Sequence, residues 1–173
     1  MNIRVLIILS LLVGIGAVLH AVAPPIFGMK PDMLLAMMFL GIMMFPKLQY
    51  VILLSSVTAI IAALTTTFPG GQISNLIDKP LTALIFFGLF LALKNIVSGN
   101  ISAPVLTAIG TMISGTIFLS VGLFILGADV GAGFAALFAT VVLPATLVNT
   151  IVMVVLYPVA NTILKRSQVV PVQ

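Results

Sequence analysis

Residues 5–23 read VLIILSLLVGIGAVLHAVA, nineteen positions without an Asp, Glu, Lys or Arg. That matches the roughly 20 apolar residues an α-helix needs to cross a hydrocarbon core about 30 Å thick. Five more apolar segments follow, over approximately 32–46, 49–66, 80–96, 103–126 and 132–163. Only ten of the 173 residues are charged, where a soluble domain carries about a quarter. Such a chain cannot clothe itself in polar surface. Its runs are continuous and not alternating, which excludes a transmembrane β-barrel. The sequence therefore predicts an all-α integral membrane protein, one membrane domain over 1–173, folded as a six-helix bundle. No length is left for a soluble catalytic or ATP-binding module. Arg4 before the first run gives it the look of a signal peptide, but it is too long for one and leads into further spans, so it reads as a retained helix.

Prolines mark the expected ends. Pro24-Pro25 should stop the first helix, since neither can donate to a continuing turn. Pro31 and Pro80 each follow a lysine and suit the first turn of the second and fourth helices. The second segment, DMLLAMMFLGIMMF, is short for a crossing. It predicts a thin, tilted or re-entrant span, or a locally pinched bilayer. The sixth segment contains Pro144 and Pro158. Cutting it at Pro144 leaves a piece too short to span, so one kinked helix is expected.

Charge placement orients the bundle. Six spans put Arg4, Lys47, Lys94, Lys165 and Arg166 on the side of the termini, and Lys30, Asp32, Asp78, Lys79 and Asp129 on the other. Five cations without an acid face two cations with all three acids. The positive-inside rule then predicts cytoplasmic N- and C-termini.

The residues also exclude whole classes of chemistry. There is no cysteine, no glutamate and one histidine, His20, so thiol chemistry and zinc-protease patterns fail and no metal site is expected. The nearest string to an intramembrane serine protease, MISG, has Met112 where the first glycine belongs. No phosphate-binding Gly-rich loop and no cofactor motif is present. The net charge of +4 is explained by topology, not by nucleic acid. No enzyme is expected; transport or binding of a small solute remains, or a membrane scaffold.

The stretch TTFPGGQISNLIDKP, Thr66 to Pro80, collects most of the polar chemistry. Read as an outer loop, it offers Asp78 to an ammonium, Lys79 to a carboxylate, and Gln72 and Asn75 as amide partners. Its glycine pair would permit close backbone approach. The bland alternative is a solvated loop. Lys30 and Asp32 form a second candidate pair, or a headgroup-facing lysine beside a capping acid. His20, near the outer end of the first span, reads more readily as a packed residue than as a ligand contact. Asp129 belongs to a turn. Asn149, deep in the sixth span, needs a partner and serves as interhelical glue or as cavity floor. Most of the Phe and Met residues face lipid or neighbouring helices. Ser10-x-x-x-Gly14 and Ala17-x-x-x-Ala21 are close-packing positions, expected to act within the bundle before docking another subunit.

Two strings carry a resemblance: LVGIGAVLHAVAPPIFGMKPDMLLAMMFLGIMMFPK and ALTTTFPGGQISNLIDKPLTALIFF. They resemble the bacterial tryptophan transport protein family, related to the substrate-binding (S) components of energy-coupling factor (ECF) transporters. The similarity runs through the chain and is densest over residues 10–90. It implies a six-helix bundle in the bacterial cell membrane, taking up L-tryptophan through an outward-facing pocket under the outer loops. It also implies, as a partner, a transmembrane coupling subunit shared with ATPases, docking on small residues such as Ser10, Gly14, Ala17 and Ala21. On that basis Asp78 is expected to hold the amine and Lys79 or Lys30 the carboxylate. Phe68 would hold the ring, and Gln72 or Asn75 would accept the indole N–H. An S component for a vitamin or another aromatic solute, and a scaffold without a solute, remain open alternatives.

Overall fold

The structure is a computed structural model that describes residues 1–23, 30 and 32–167. Pro24, Pro25 and Pro31, on which two of the expected helix ends turn, lie outside the described residues. The described chain is helical: α1 (Ile3–Val22), α2 (Met33–Met44), α3 (Leu48–Thr65), α4 (Gly71–Leu93) and α5 (Gly99–Ser120). A π-turn, Val121–Ile125, continues α5. The last helix is built from α6 (Phe134–Leu137), a second π-turn (Phe138–Val142) and α7 (Leu143–Ser167). Five of these units are long and apolar enough to cross a membrane, and α2 is a shorter apolar helix.

The helices alternate in direction. Asn2 N donates to Tyr50 Oη at 3.0 Å, so the start of α3 lies beside the start of α1. A Cβ on Gly99 would run into the Tyr157 ring, which brings the start of α5 to the lower part of α7. At the opposite end Gly70 packs under Leu126, joining the α3–α4 turn to the end of α5. Six passes result, with Ile3 and Ser167 at one end.

Burial follows the 3.6-residue period of a helix. On α1 Val5, Leu9, Val13, Gly16 and His20 face inward, while Ile3, Ile7, Leu11, Ile15, Val18 and Val22 lie exposed. Gly16, and not the expected Gly14, makes the close approach: a Cβ there would lie 3.1 Å from Leu34 Cα, whereas one on Gly14 would meet nothing. Ser10 and Gly14 instead border an apolar groove between α1 and α3, walled by Leu6, Leu53, Val57 and Ile61.

Eleven of the twelve residues of α2 are buried. A helix apolar all round belongs in an interior, and α2 packs against α1, α3, α4, α5 and α7. This accounts for its length. Twelve residues rise only about 18 Å, some 12 Å short of a hydrocarbon core of about 30 Å. The neighbouring helices cover α2, so its length need not match the bilayer.

The largest departure from expectation is in α4. The segment 66–80 is not one loop. Gly70 adopts the left-handed conformation at φ 72°, Gly71 N bonds back to Phe68 O, and the helix begins at Gly71. Gln72 through Lys79 are therefore helical, and Pro80 lies inside the helix and not in its first turn. An interior proline frees a backbone carbonyl, which membrane helices tolerate where neighbours re-satisfy it. The fourth span is 71–93, not 80–96. The last helix is one continuous segment, as expected, and the π-turn just before Pro144 is where the hydrogen bond this proline cannot make is accommodated.

Candidate substrate site

The inward stripe of α4 is polar in its first half: Ser74, Asn75, Asp78, Lys79 and Thr82 are buried before the stripe turns to Ala83, Phe86 and Phe90. These positions recur at three- and four-residue steps, the spacing of one helix face. Asp78 lies seven residues beyond Gly71, about 11 Å along the axis at 1.5 Å per residue. That depth matches the shortfall of α2, whose N-cap is Asp32. The two acids thus meet at one level.

Between them sits Lys79. Its Nζ is 2.5 Å from Asp32 Oδ2 and 2.6 Å from Asp78 Oδ2. Ser114 Oγ donates to Asp78 Oδ2 at 2.7 Å, and Thr82 Oγ1 donates to Asp78 Oδ1 at 2.7 Å. Asp78 is 0% exposed and Lys79 2%. Asp32 also caps α2, accepting from Leu35 N at 3.2 Å. His20 Nδ1 lies 3.8 Å from its Oδ1. Asn149 Nδ2 donates to the Asp32 carbonyl at 3.0 Å and to Thr111 Oγ1 at 3.3 Å. Helices α1, α2, α4, α5 and α7 are thereby tied to one cluster. Two carboxylates share the ammonium of Lys79, and Lys30 and His20 stand at the same cavity, in an interior where an uncompensated charge is costly.

A cavity adjoins this cluster. It offers about 70 Å³ to the centres of water-sized molecules, several times the roughly 10–15 Å³ that one ordered water requires. Its polar lining is His20, Lys30, Asp32, Asn75, Lys79, Thr66, Thr111 and Ser114. Its apolar wall is formed by Leu35, Phe68, Gly115, Phe118, Val141, Val142 and Ala145. Phe68 meets Phe118 edge-on, with ring centroids 5.3 Å apart. The Phe68 ring leans on Gly122, where a Cβ would come within 2.7 Å of it. Both π-turns flank this wall, a common location for such irregularities.

The sequence-derived candidates divide accordingly. His20, Lys30, Asp32, Phe68, Asn75 and Lys79 come together around the cavity. Asp78 does not line it: it stands behind Lys79, bonded to Thr82 and Ser114, so Asp32 is the carboxylate that faces the space. Gln72 points outward from α4 and is exposed, because it lies two residues off the inward stripe. Asn149 lies outside the lining, beneath Asp32 and Thr111, and its Oδ1 is buried without a hydrogen-bond partner among the described residues. Lys30 Nζ donates to Ala21 O at 3.2 Å, and Asn75 Nδ2 to Ala62 O at 3.2 Å. Thr111 and Ser114 also line the cavity and are absent from the sequence-derived candidates. Their signal was present: Thr107, Thr111 and Ser114 are polar at helical spacing on apolar α5, and all three are buried.

Known proteins give this arrangement its context. The family model described as Tryptophan transporter TrpP matches residues 2–165. A probable tryptophan transport protein of Bacillus subtilis (strain 168) is 53% identical over 168 residues, covering 96% of each chain. Probable tryptophan transport proteins of Clostridium acetobutylicum and Clostridium perfringens are 43% and 36% identical, over 91% and 96% of both chains respectively. No solved structure matches the chain. A multi-pass helical bundle with a buried polar cluster is what a membrane carrier of a polar solute requires, and the chain belongs to the tryptophan transporter family, a family of transporters and not of enzymes.

Proposed function

We propose that the chain carries L-tryptophan inward across the cell membrane, binding the zwitterion in the cavity between α2, α4, α5 and the last helix. One observation carries this reading: Asp32 and Lys30 face the same space as an aromatic and aliphatic wall. An α-ammonium needs a carboxylate, and Asp32 is the one within reach. Lys79 is already shared by two acids, so Lys30 is the better partner for the ligand's carboxylate. The indole packs on Phe68 and Phe118, where offset or edge-on ring pairs contribute about 0.5–1.5 kcal/mol beyond burial. Asn75 uses its Nδ2 on Ala62 O and can turn Oδ1 toward the indole N–H. The cytoplasmic placement of both termini, expected from the charge distribution, opens this cavity to the outside.

The direct test is Asp32→Asn in a tryptophan auxotroph, at matched protein level. A hydrogen bond to a charged group contributes about 1.5–3 kcal/mol, so half-maximal uptake should require at least about tenfold more tryptophan, at 1.4 kcal/mol per factor of ten. Unchanged uptake at limiting tryptophan would remove Asp32 from the site. A transmembrane coupling subunit with ATPases would seat in the α1–α3 groove, where Ser10 and Gly14 leave the helix surface low. Uptake that persists in a host lacking every such ATPase module argues that the chain works alone.

A further inference from the structure

Along α5 the cavity lining changes character within one turn. Thr111 and Ser114 are polar, and Ser114 Oγ bonds to Asp78 Oδ2 at the lysine cluster. Gly115 and Phe118, next on the same lining, are apolar. The last helix faces them with Val141, Val142 and Ala145. A ligand whose ammonium rests on Asp32 therefore lays its ring across the level of Gly115 and Val142 on the way to Phe118 and Phe68. At that level the wall has one feature that stands up. Gly115 on α5 is low, Ala145 one turn along the last helix is low, and Val142 between them carries two γ-methyls.

Val142 is held from every side but the cavity. A Cβ on Gly115 would collide with both of its γ-methyls, so the valine is seated in the notch that the glycine leaves and cannot retreat toward α5. Its carbonyl accepts from Thr146 Oγ1 at 2.8 Å, and a β-branched side chain is stiff about χ1. We propose, resting on the reading of the cavity as an amino-acid site, that Val142 sets the ring-size limit of the site. It admits the unsubstituted indole and excludes an indole bearing an extra group on the edge that meets it. Such a group has to displace a close-packed wall, where even one added methylene is felt, and not the tip of a flexible side chain. Gly115 is the positioning residue of this device, because its missing Cβ lets Val142 come so close to α5.

Calorimetric titration of the purified full chain tests this with L-tryptophan and with L-tryptophans methylated singly at each benzo-ring carbon. The thermal midpoint without ligand is recorded alongside. One methylene in an apolar pocket discriminates by roughly 10–200-fold, so the wild-type chain should bind at least one methyl analogue about tenfold more weakly than tryptophan. In Val142→Ala that penalty should shrink by about tenfold, at one ring position or two adjacent ones, while the penalties at the other positions stay. Val142→Ile should enlarge the penalty at the same positions, and it decides the matter if Val142→Ala does not fold. A lowered thermal midpoint with equal weakening of all the ligands is what a merely structural role produces, and it overturns the assignment to Val142. Wild-type binding of every methyl analogue as tightly as tryptophan overturns the size limit. In both cases tryptophan still binds, and the amino-acid site stands. Absence of any tryptophan binding to the wild-type chain overturns the site and the limit together.

Discussion

Lys79 is held by two carboxylates and Asp78 by one lysine and two hydroxyls, so the two residues differ sharply in what their loss leaves behind. Lys79→Met strands two acids against each other in a dry interior. Removing one partner of a buried pair costs about 3–5 kcal/mol. Asp78→Asn removes one of the two acids and keeps a single oxygen, which can accept from Thr82 or from Ser114. In one detergent, the thermal midpoint should therefore fall further for Lys79→Met than for Asp78→Asn; the reverse order would show that the cluster is not held by Lys79. Much of this cluster was legible residue by residue, because a charged side chain in so apolar a chain must be spent on something. Which acid faces the cavity was not. Asp32 and Asp78 are 46 positions apart, and only the packing of α2 on α4 puts one in front of Lys79 and the other behind it.

Among the elements, the α3–α4 connection decides where the polar stripe lies. Its reversal depends on Gly70, whose φ of 72° costs a residue with a Cβ about 1–2 kcal/mol. An added Cβ would also lie 3.1 Å from Leu126. Gly70→Ala should lower the thermal midpoint and, because Phe68 is two residues away in the cavity wall, also weaken tryptophan binding. A loss of stability with unchanged affinity would separate the turn from the site. As sequence, 66–80 has the composition of a loop, because Gly, Gln, Ser, Asn, Asp and Pro together usually mean one. That rule assumes water on the outside. In a membrane bundle the same residues form a helix face when they recur at three and four, and Ser74, Asn75, Asp78, Lys79 and Thr82 do so. The shortness of α2 was likewise visible, but its cause was not: a length rule for lipid-facing helices does not apply to one sheathed by its neighbours.

For the whole molecule, six alternating passes make the placement of the termini a measurable quantity. The chain contains no cysteine, so single-cysteine variants report without background. Asp129→Cys and Ser98→Cys place a thiol at exposed positions on opposite ends. In intact cells a membrane-impermeant maleimide should label the first and reach the second only after permeabilisation; labelling of Ser98→Cys alone would invert the bundle and close the route by which the cavity meets external tryptophan. The solvent and the class of fold were determined by the sequence itself, because continuous apolar runs and scarce charge admit one environment, and in lipid a continuous run must satisfy its own backbone as a helix. The composition of the site was also largely present, since few polar residues were available to build it. Tertiary structure decided the rest: that α2 is central, that Asp32 and not Asp78 faces the cavity, and that Thr111, Ser114 and the wall of Phe118, Val141 and Val142 complete it. Those are facts about distances between helices far apart in sequence, set by how side chains fill the space between them, and the pattern along any one helix does not contain them.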